Sequence, residues 1–202
     1  MKIGIIVGSQ RVKSQSRKVA GVAQSLLTEM DKGTQFFTLD LAEKPLPFWD
    51  EGVWSGDAEW KKTWGPIAEE LKSCDGFVVI APEYHGMAPA ALKNFFLLAG
   101  KEEIGHKPGL IVAVSAARGG SYPVAELRLS SYKNSRLVWL PDHVIVRNAE
   151  TVLNAGQANG EEDQFTRGRL QYCLKLLVEY SKALGQVRGS GVVDFKNHPN
   201  GM

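Results

Sequence analysis

The feature that most constrains the fold is a repeated change of period along the chain. Short apolar runs rich in Ile and Val recur, separated by amphipathic stretches whose apolar residues fall at helical spacing. Ile3-Gly4-Ile5-Ile6-Val7, closed by Gly8-Ser9, reads as a buried first strand. From Ser16 to about Met30, Val19, Val22, Ala23, Leu26, Leu27 and Met30 form one helical stripe. Gln35 to Leu39 reads as the second strand. Residues 40 to 58, with Pro45, Pro47, Gly52 and Gly56, read as a long loop. A helix is expected over Trp60 to Cys74, stopped by Asp75-Gly76. Phe77 to Ala81 is continuously apolar and therefore covered on both faces. A helix over Pro89 to Ala99, a fourth strand over Leu110 to Val114 and a helix over Tyr122 to Tyr132 follow. A short fifth strand falls within Leu137 to Val146, and a last helix spans Glu161 to Leu184.

Strand and helix in strict alternation define an α/β fold, with a parallel sheet between two helical layers. The expectation is a three-layer α/β/α sandwich with a five-stranded parallel sheet. The flavodoxin-like order 2-1-3-4-5 fits this length better than the other common doubly wound order. Residues 1–184 form one domain, and the Gly-, Asn- and Pro-containing tail 185–202 is read as flexible or as an assembly arm. Ligands of such sheets bind beyond the carboxyl ends of the strands, where the strand order reverses. In this order the reversal lies between strands one and three, with strand four alongside.

The totals narrow the partners. The 202 residues carry 24 Lys and Arg against 22 Asp and Glu, a net charge of +2. Such a balance supplies no field for nucleic acid or an anionic membrane. No apolar stretch approaches the roughly 20 residues of a membrane helix. The run Ile3 to Val7 is too short for a signal peptide and ends without a small-residue cleavage site. Cys74 and Cys173 form no C-x-x-C pair and sit in apolar surroundings, as buried free thiols do. Nothing demands an oxidising compartment, so the cytoplasm is the expected location.

Three loops meet at the reversal point. The first, Gly8-Ser9-Gln10-Arg11-Val12-Lys13-Ser14-Gln15-Ser16, ends at a helix start, where unpaired N–H groups and a partial positive charge favour a phosphate. One serine, Ser14 or Ser16, suffices for a helix cap. Three serines and an Arg crowded into one turn exceed that need and suit an oxyanion. No second glycine precedes Lys13-Ser14, so this is no P-loop, and no G-x-G-x-x-G dinucleotide fingerprint is present. A terminal monophosphate fits. The second loop, Pro82-Glu83-Tyr84-His85-Gly86-Met87-Ala88-Pro89, offers an aromatic, a Met and a glycine for a flat ring. On its own it equally suits an ordinary connection into a Pro-initiated helix. The third, Ser115-Ala116-Ala117-Arg118-Gly119-Gly120-Ser121, carries two adjacent glycines, which permit close backbone approach or a flexible turn.

These loops together resemble the NADPH-dependent FMN reductases, the flavodoxin-like quinone, azo-dye and chromate reductases. The resemblance rests on Gly8-Ser9-Gln10-Arg11 with Ser14 and Ser16, and on Pro82-Glu83-Tyr84 leading to Pro89 and Leu92-Lys93-Asn94. It also rests on Ser115 with Gly119-Gly120, and on Pro45-Leu46-Pro47 ahead of the 67–80 helix–strand unit. It spans roughly residues 1 to 145. It implies FMN as cofactor and NADPH or NADH as co-substrate. Ser9, Arg11, Ser14, Gln15 and Ser16 would then lie at the phosphate. Pro82, Glu83, Tyr84, His85, Gly86, Ser115, Gly119 and Gly120 would contact the ribityl chain and ring. The sequence departs from the family at Ser16 and His85, where Asn is common, and at Leu97, where an acid is common. The last helix and tail resemble nothing specific.

Hydride transfer through a flavin asks little of side chains, so no side-chain acid or base is assigned. His85, His106, His143 and His198 show no metal-ligand spacing, and no G-x-S-x-G elbow is present. The reading is therefore an oxidoreductase that passes electrons from NAD(P)H to a quinone, free flavin, azo compound or metal oxyanion by ping-pong transfer. Two alternatives stand beside it. An electron carrier of flavodoxin type is typically acidic, unlike this chain. A flavin-free binding module would not need the Ser-Arg-Ser-Ser loop. Phe48, Trp49, Trp54, Trp60 and Trp64 cluster between Lys44 and Gly65. That density marks either a local core or a subunit interface, and a homodimer or homotetramer is expected.

Overall fold

In a computed structural model of the chain, residues 1–201 are described. Strands β1 (Lys2–Val7), β2 (Gln35–Asp40), β3 (Gly76–Pro82) and β4 (Pro108–Val114) pair in parallel in the order β2-β1-β3-β4. The alternation of side chains explains the layers. Ile3, Ile5, Val7, Val78, Ile80, Leu110, Val112 and Val114 point to one face. There they are buried with Val19, Ala23 and Leu27 of α1 (Gln15–Met30) and Leu170, Cys173, Leu174 and Leu177 of the last helix. Ile6, Phe77, Val79, Ala81, Ile111 and Ala113 point to the other face, against Leu71, Leu92, Phe95 and Leu127. Strands apolar on both faces can be satisfied only by helices on both sides. Gly4 is required by that packing, since a Cβ there would run into the Phe77 ring.

The fifth position of the sheet is divided. β5 (Val138–Trp139) pairs with the start of β4 and β6 (Val144–Val146) with its end, giving a six-stranded sheet where five strands were expected. Pro141 lies between the two pieces; without an N–H it cannot continue the ladder.

Other boundaries also moved. The stretch from Trp60 to Cys74 forms two helices, α3 (Ala58–Thr63) and α4 (Gly65–Lys72), because Pro66 lacks the amide and the clearance an unbroken helix needs. One-turn helices α2 (Gly52–Ser55) and α6 (Lys101–Ile104) lie in segments where no helix was expected. α5 (Ala90–Leu98) and α7 (Ser121–Leu129) stand close to expectation. α8 (Gly160–Gly189) continues past Leu184, where the sequence reading ended it, and its Arg188 donates to the His106 carbonyl at 2.9 Å. Beyond it, Phe195 stacks on His106 with ring centroids 5.7 Å apart, and the carbonyls of His198 and Asn200 accept from Arg136. Among the described residues no helix is long and apolar enough to cross a membrane.

Candidate active site

The carboxyl ends of β1, β3 and β4 open into the three loops, and two side-chain bonds bind those loops to one another. Ser9, fully buried at the end of β1, meets the Tyr84 hydroxyl at 2.8 Å and accepts the Arg11 amide at 3.1 Å. Glu83 reaches from the end of β3 to the start of α7, where its carboxylate accepts the amides of Gly120 at 2.7 Å and Tyr122 at 3.3 Å. The expected convergence of the loops is therefore physical contact.

In the first loop, Ser14 is the N-cap of α1, its hydroxyl accepting the Arg17 amide at 3.2 Å. The amides of Gln15 and Ser16, ahead of Arg17 in that turn, bond to no other described residue. Ser16 is buried, whereas Arg11 is exposed and free of any ion pair among the described residues. Gln15 Oε1 is buried without a partner. Gly8 keeps this loop flush with the sheet: a Cβ there would press on the Ile80 carbonyl at 2.8 Å and on Leu92 at 3.0 Å.

The second loop is a tight hairpin. Tyr84 and Met87 exchange backbone bonds at 3.0 Å in both directions, with His85 (φ 50°) and Gly86 (φ 72°) at the tip. A turn with positive φ at both central positions favours Asn or Gly, so His85 holds a backbone conformation that other side chains rarely adopt. His85 is exposed, while the Tyr84 ring is half-buried and directed at Ser9.

In the third loop Ser115 is buried, its hydroxyl accepting the Ala117 amide at 3.3 Å. The two glycines answer first to the protein itself. At Gly119 a Cβ would strike the Glu83 carboxylate, and Gly120 adopts φ 103° against Ile145. Arg147 donates to the Arg118 carbonyl at 2.8 Å. Arg11, Lys13, Arg118 and Arg147 are exposed in the segments that follow β1, β4 and β6, at the carboxyl edge of the sheet.

Glu126, which the sequence did not single out, and the Leu92-Lys93-Asn94 motif, which it did, complete the frame. Glu126 of α7 accepts the Ala88 amide at 2.7 Å and pairs with Lys93 at 2.7 Å. Burial raises its carboxyl, but the bonds from Lys93 and Ala88 outweigh that and hold it below the usual carboxylate range. Asn94 accepts the Trp49 amide and donates to the Pro47 carbonyl, both at 2.8 Å, which fastens the Trp-rich loop to α5. Leu92-Lys93-Asn94 thus acts through three neighbours: Gly8, Glu126 and that loop. The tryptophans divide. Trp60 and Trp64 enter the core, whereas Trp54 is 76% exposed beside Trp49, and Phe48 is 80% exposed.

A doubly wound sheet with tied loops at its reversal point defines a flavodoxin-like protein. The profile of the NADPH-dependent FMN reductases matches residues 1–151, and the chain belongs to that family. It is an oxidoreductase working with FMN and a reduced nicotinamide cofactor. An FMN-dependent NADPH-azoreductase of Staphylococcus saprophyticus is 29% identical over 130 residues, 64% of this chain and 68% of the relative. A 2-hydroxy-1,4-benzoquinone reductase of Burkholderia is 27% identical over 177 residues, 85% of this chain and 91% of that one. Among solved structures, the flavoenzyme NAD(P)H:(acceptor) oxidoreductase FerB of Paracoccus denitrificans superposes with a TM-score of 0.68 at 20% identity. That superposition covers 90% of this chain and 97% of FerB, and at this identity it speaks to the fold.

Proposed function

We propose that FMN is held at the carboxyl ends of β1, β3 and β4, its phosphate at the first loop, and that NAD(P)H and a small acceptor use one open face in turn. The observation that carries this reading is the pair of ties, Ser9 to Tyr84 and Glu83 to Gly120, which fixes the three loops to one another at the reversal point of the sheet. The residues fit the group. Arg11, the free amides of Gln15 and Ser16 and the start of a 16-residue helix supply donors and positive charge for one phosphate. Gln15 Oε1 is an acceptor still to be satisfied, as a ribityl hydroxyl or a ring N–H would do. The absence of a pyrophosphate fingerprint favours FMN over FAD.

Ser9 and Ser14 shape the loop, and Glu83 holds the third loop in place; none of the three hydroxyl or carboxylate groups is needed as an acid or base. Bound FMN would take two electrons from the nicotinamide and return them to the acceptor. The protein binds, orients and leaves one side open between the 84–87 hairpin and the third loop. Two substrates taking turns there give ping-pong kinetics. The names of the relatives support a quinone or azo compound as the acceptor, with free flavin or a metal oxyanion as further members of the class. Exposed Phe48 and Trp54 support association into a homodimer or homotetramer. The cytoplasm, where NAD(P)H is available, is the proposed location. Purification provides the first test: the protein should carry a flavin absorption spectrum, released as FMN on denaturation. A colourless protein that takes up no added FMN overturns the proposal.

A further inference from the structure

The 82–89 loop and helix α7 are joined by two carboxylates that cross in opposite directions. Glu83 leaves the loop and accepts from the backbone of the helix start, at Gly120 and Tyr122. Glu126 leaves the helix and accepts from the backbone of the loop, at Ala88. The two anchor points bracket the hairpin closed by Tyr84 and Met87, whose tip is His85-Gly86. Each carboxylate thus fixes one end of the same turn against the same helix.

The Glu126 anchor has a second leg. Its other oxygen holds Lys93 in the first half of α5, the helix into which the loop feeds. Ala88 is 2% exposed, so its amide has little access to water if the carboxylate is removed. A buried donor left without an acceptor drives local rearrangement, and Ala88 directly follows Met87, the residue that closes the hairpin.

We infer that Glu126 is a positioning residue for the cofactor: through Ala88 and Lys93 it sets where the 84–87 hairpin stands over the flavin. This rests on the reading that FMN occupies the crevice. Glu126 itself lies outside the three loops.

The test compares wild type, Glu126→Ala and Glu126→Gln as full-length protein. Glutamine keeps an acceptor for the Ala88 amide but loses the ion pair with Lys93; alanine loses both. In the FMN-free proteins, Glu126→Ala should raise amide exchange at residues 84–88 at least tenfold over wild type, and Glu126→Gln by much less. In the FMN-loaded proteins, Glu126→Ala should weaken FMN binding about tenfold and shift the visible circular dichroism of the flavin. Glu126→Gln should restore most of both. A purely structural role would lower the melting temperature and leave the spectrum of bound FMN unchanged, and that result overturns the inference while FMN binding by wild type stands. Unchanged exchange at 84–88 in Glu126→Ala overturns it as well. If Glu126→Ala does not fold, Glu126→Gln carries the test: a small but resolved weakening of FMN binding and rise in exchange at 84–88 is expected, and values identical to wild type in both overturn the inference. Wild type that takes up no FMN overturns both readings.

Discussion

The hydroxyls of Ser9 and Tyr84, 75 residues apart in the chain, meet at 2.8 Å and tie the loop after β1 to the loop after β3. Ser9 has no access to solvent and also accepts the Arg11 amide, so its oxygen organises both the hairpin and the start of the first loop. Ser9→Ala removes the partner of the Tyr84 hydroxyl and the acceptor of the Arg11 amide and should cost about 1–3 kcal/mol, while Tyr84→Phe should cost about 0.5–1.5 kcal/mol. Because they share one bond, the double mutant should be more stable than the sum of the single losses implies, by on the order of 1 kcal/mol. Urea unfolding of the four proteins measures it, and strictly additive losses would show that the bond contributes nothing.

Arg11 is exposed and makes no ion pair among the described residues, so its loss should leave the fold alone. Arg11→Ala should weaken FMN binding by about 1.5–3 kcal/mol, the worth of a hydrogen bond to a charged group, with an unchanged melting temperature of the FMN-free protein. Fluorescence titration gives the answer, and an unaltered FMN affinity would remove the phosphate from this loop.

Gly120 cannot be replaced without cost to the fold. Its φ of 103° is poorly accessible to other residues, and a Cβ would collide with Ile145. Gly120→Val should destabilise the protein by about 2–4 kcal/mol, from backbone strain and overpacking together. Thermal unfolding checks this; a variant as stable as wild type would mean that the loop relaxes freely and that the glycine serves the ligand alone.

Lys107 is buried at the far end of β4, where its ammonium donates to the carbonyls of Leu71, Lys72 and Glu103 at the ends of α4 and α6. Burial pushes it down to about 8 from 10.5. Between those values the unfolded chain keeps a proton that the folded chain has released, so this group makes stability rise with pH across that window. Cys74 beside it works in the opposite sense. Burial pushes its thiol from 9.0 up to about 11, and its contribution falls as pH rises through that range. The stability of wild type minus that of Lys107→Met should therefore grow between pH 8 and 10, since Cys74 is common to both. A difference that stays flat or shrinks would contradict the assignment.

Most of the architecture was legible because it depends on local period. Strands apolar on both faces, such as Phe77 to Ala81, admit no arrangement except a sheet between helices, and the reversal point follows from the strand order. The breaks at Pro66 and Pro141 are marked by single prolines inside a helical spacing and an apolar run, and those longer patterns are the stronger local signal. α8 outran Leu184 because Gly185 and Gly189 lie on a helix held by tertiary contacts such as Arg188 with His106, which overcome glycine's weak preference. The three candidate loops could be placed together from their positions at strand ends, as their contacts show. Their internal ties could not: Glu83 with Gly120, Glu126 with Ala88 and Asn94 with Trp49 pair a side chain with a distant backbone amide, and no local pattern encodes such partners.

The proposed reductase presents bound FMN directly to a reduced nicotinamide and then to a small acceptor. Anaerobic stopped-flow mixing of the FMN-loaded protein with NADPH, and separately with NADH, tests it most directly. The account predicts that at least one of the two bleaches the flavin band in a single turnover, and that a quinone added afterwards restores it. If neither nucleotide reduces the bound flavin, the protein is not the NAD(P)H-dependent reductase described here.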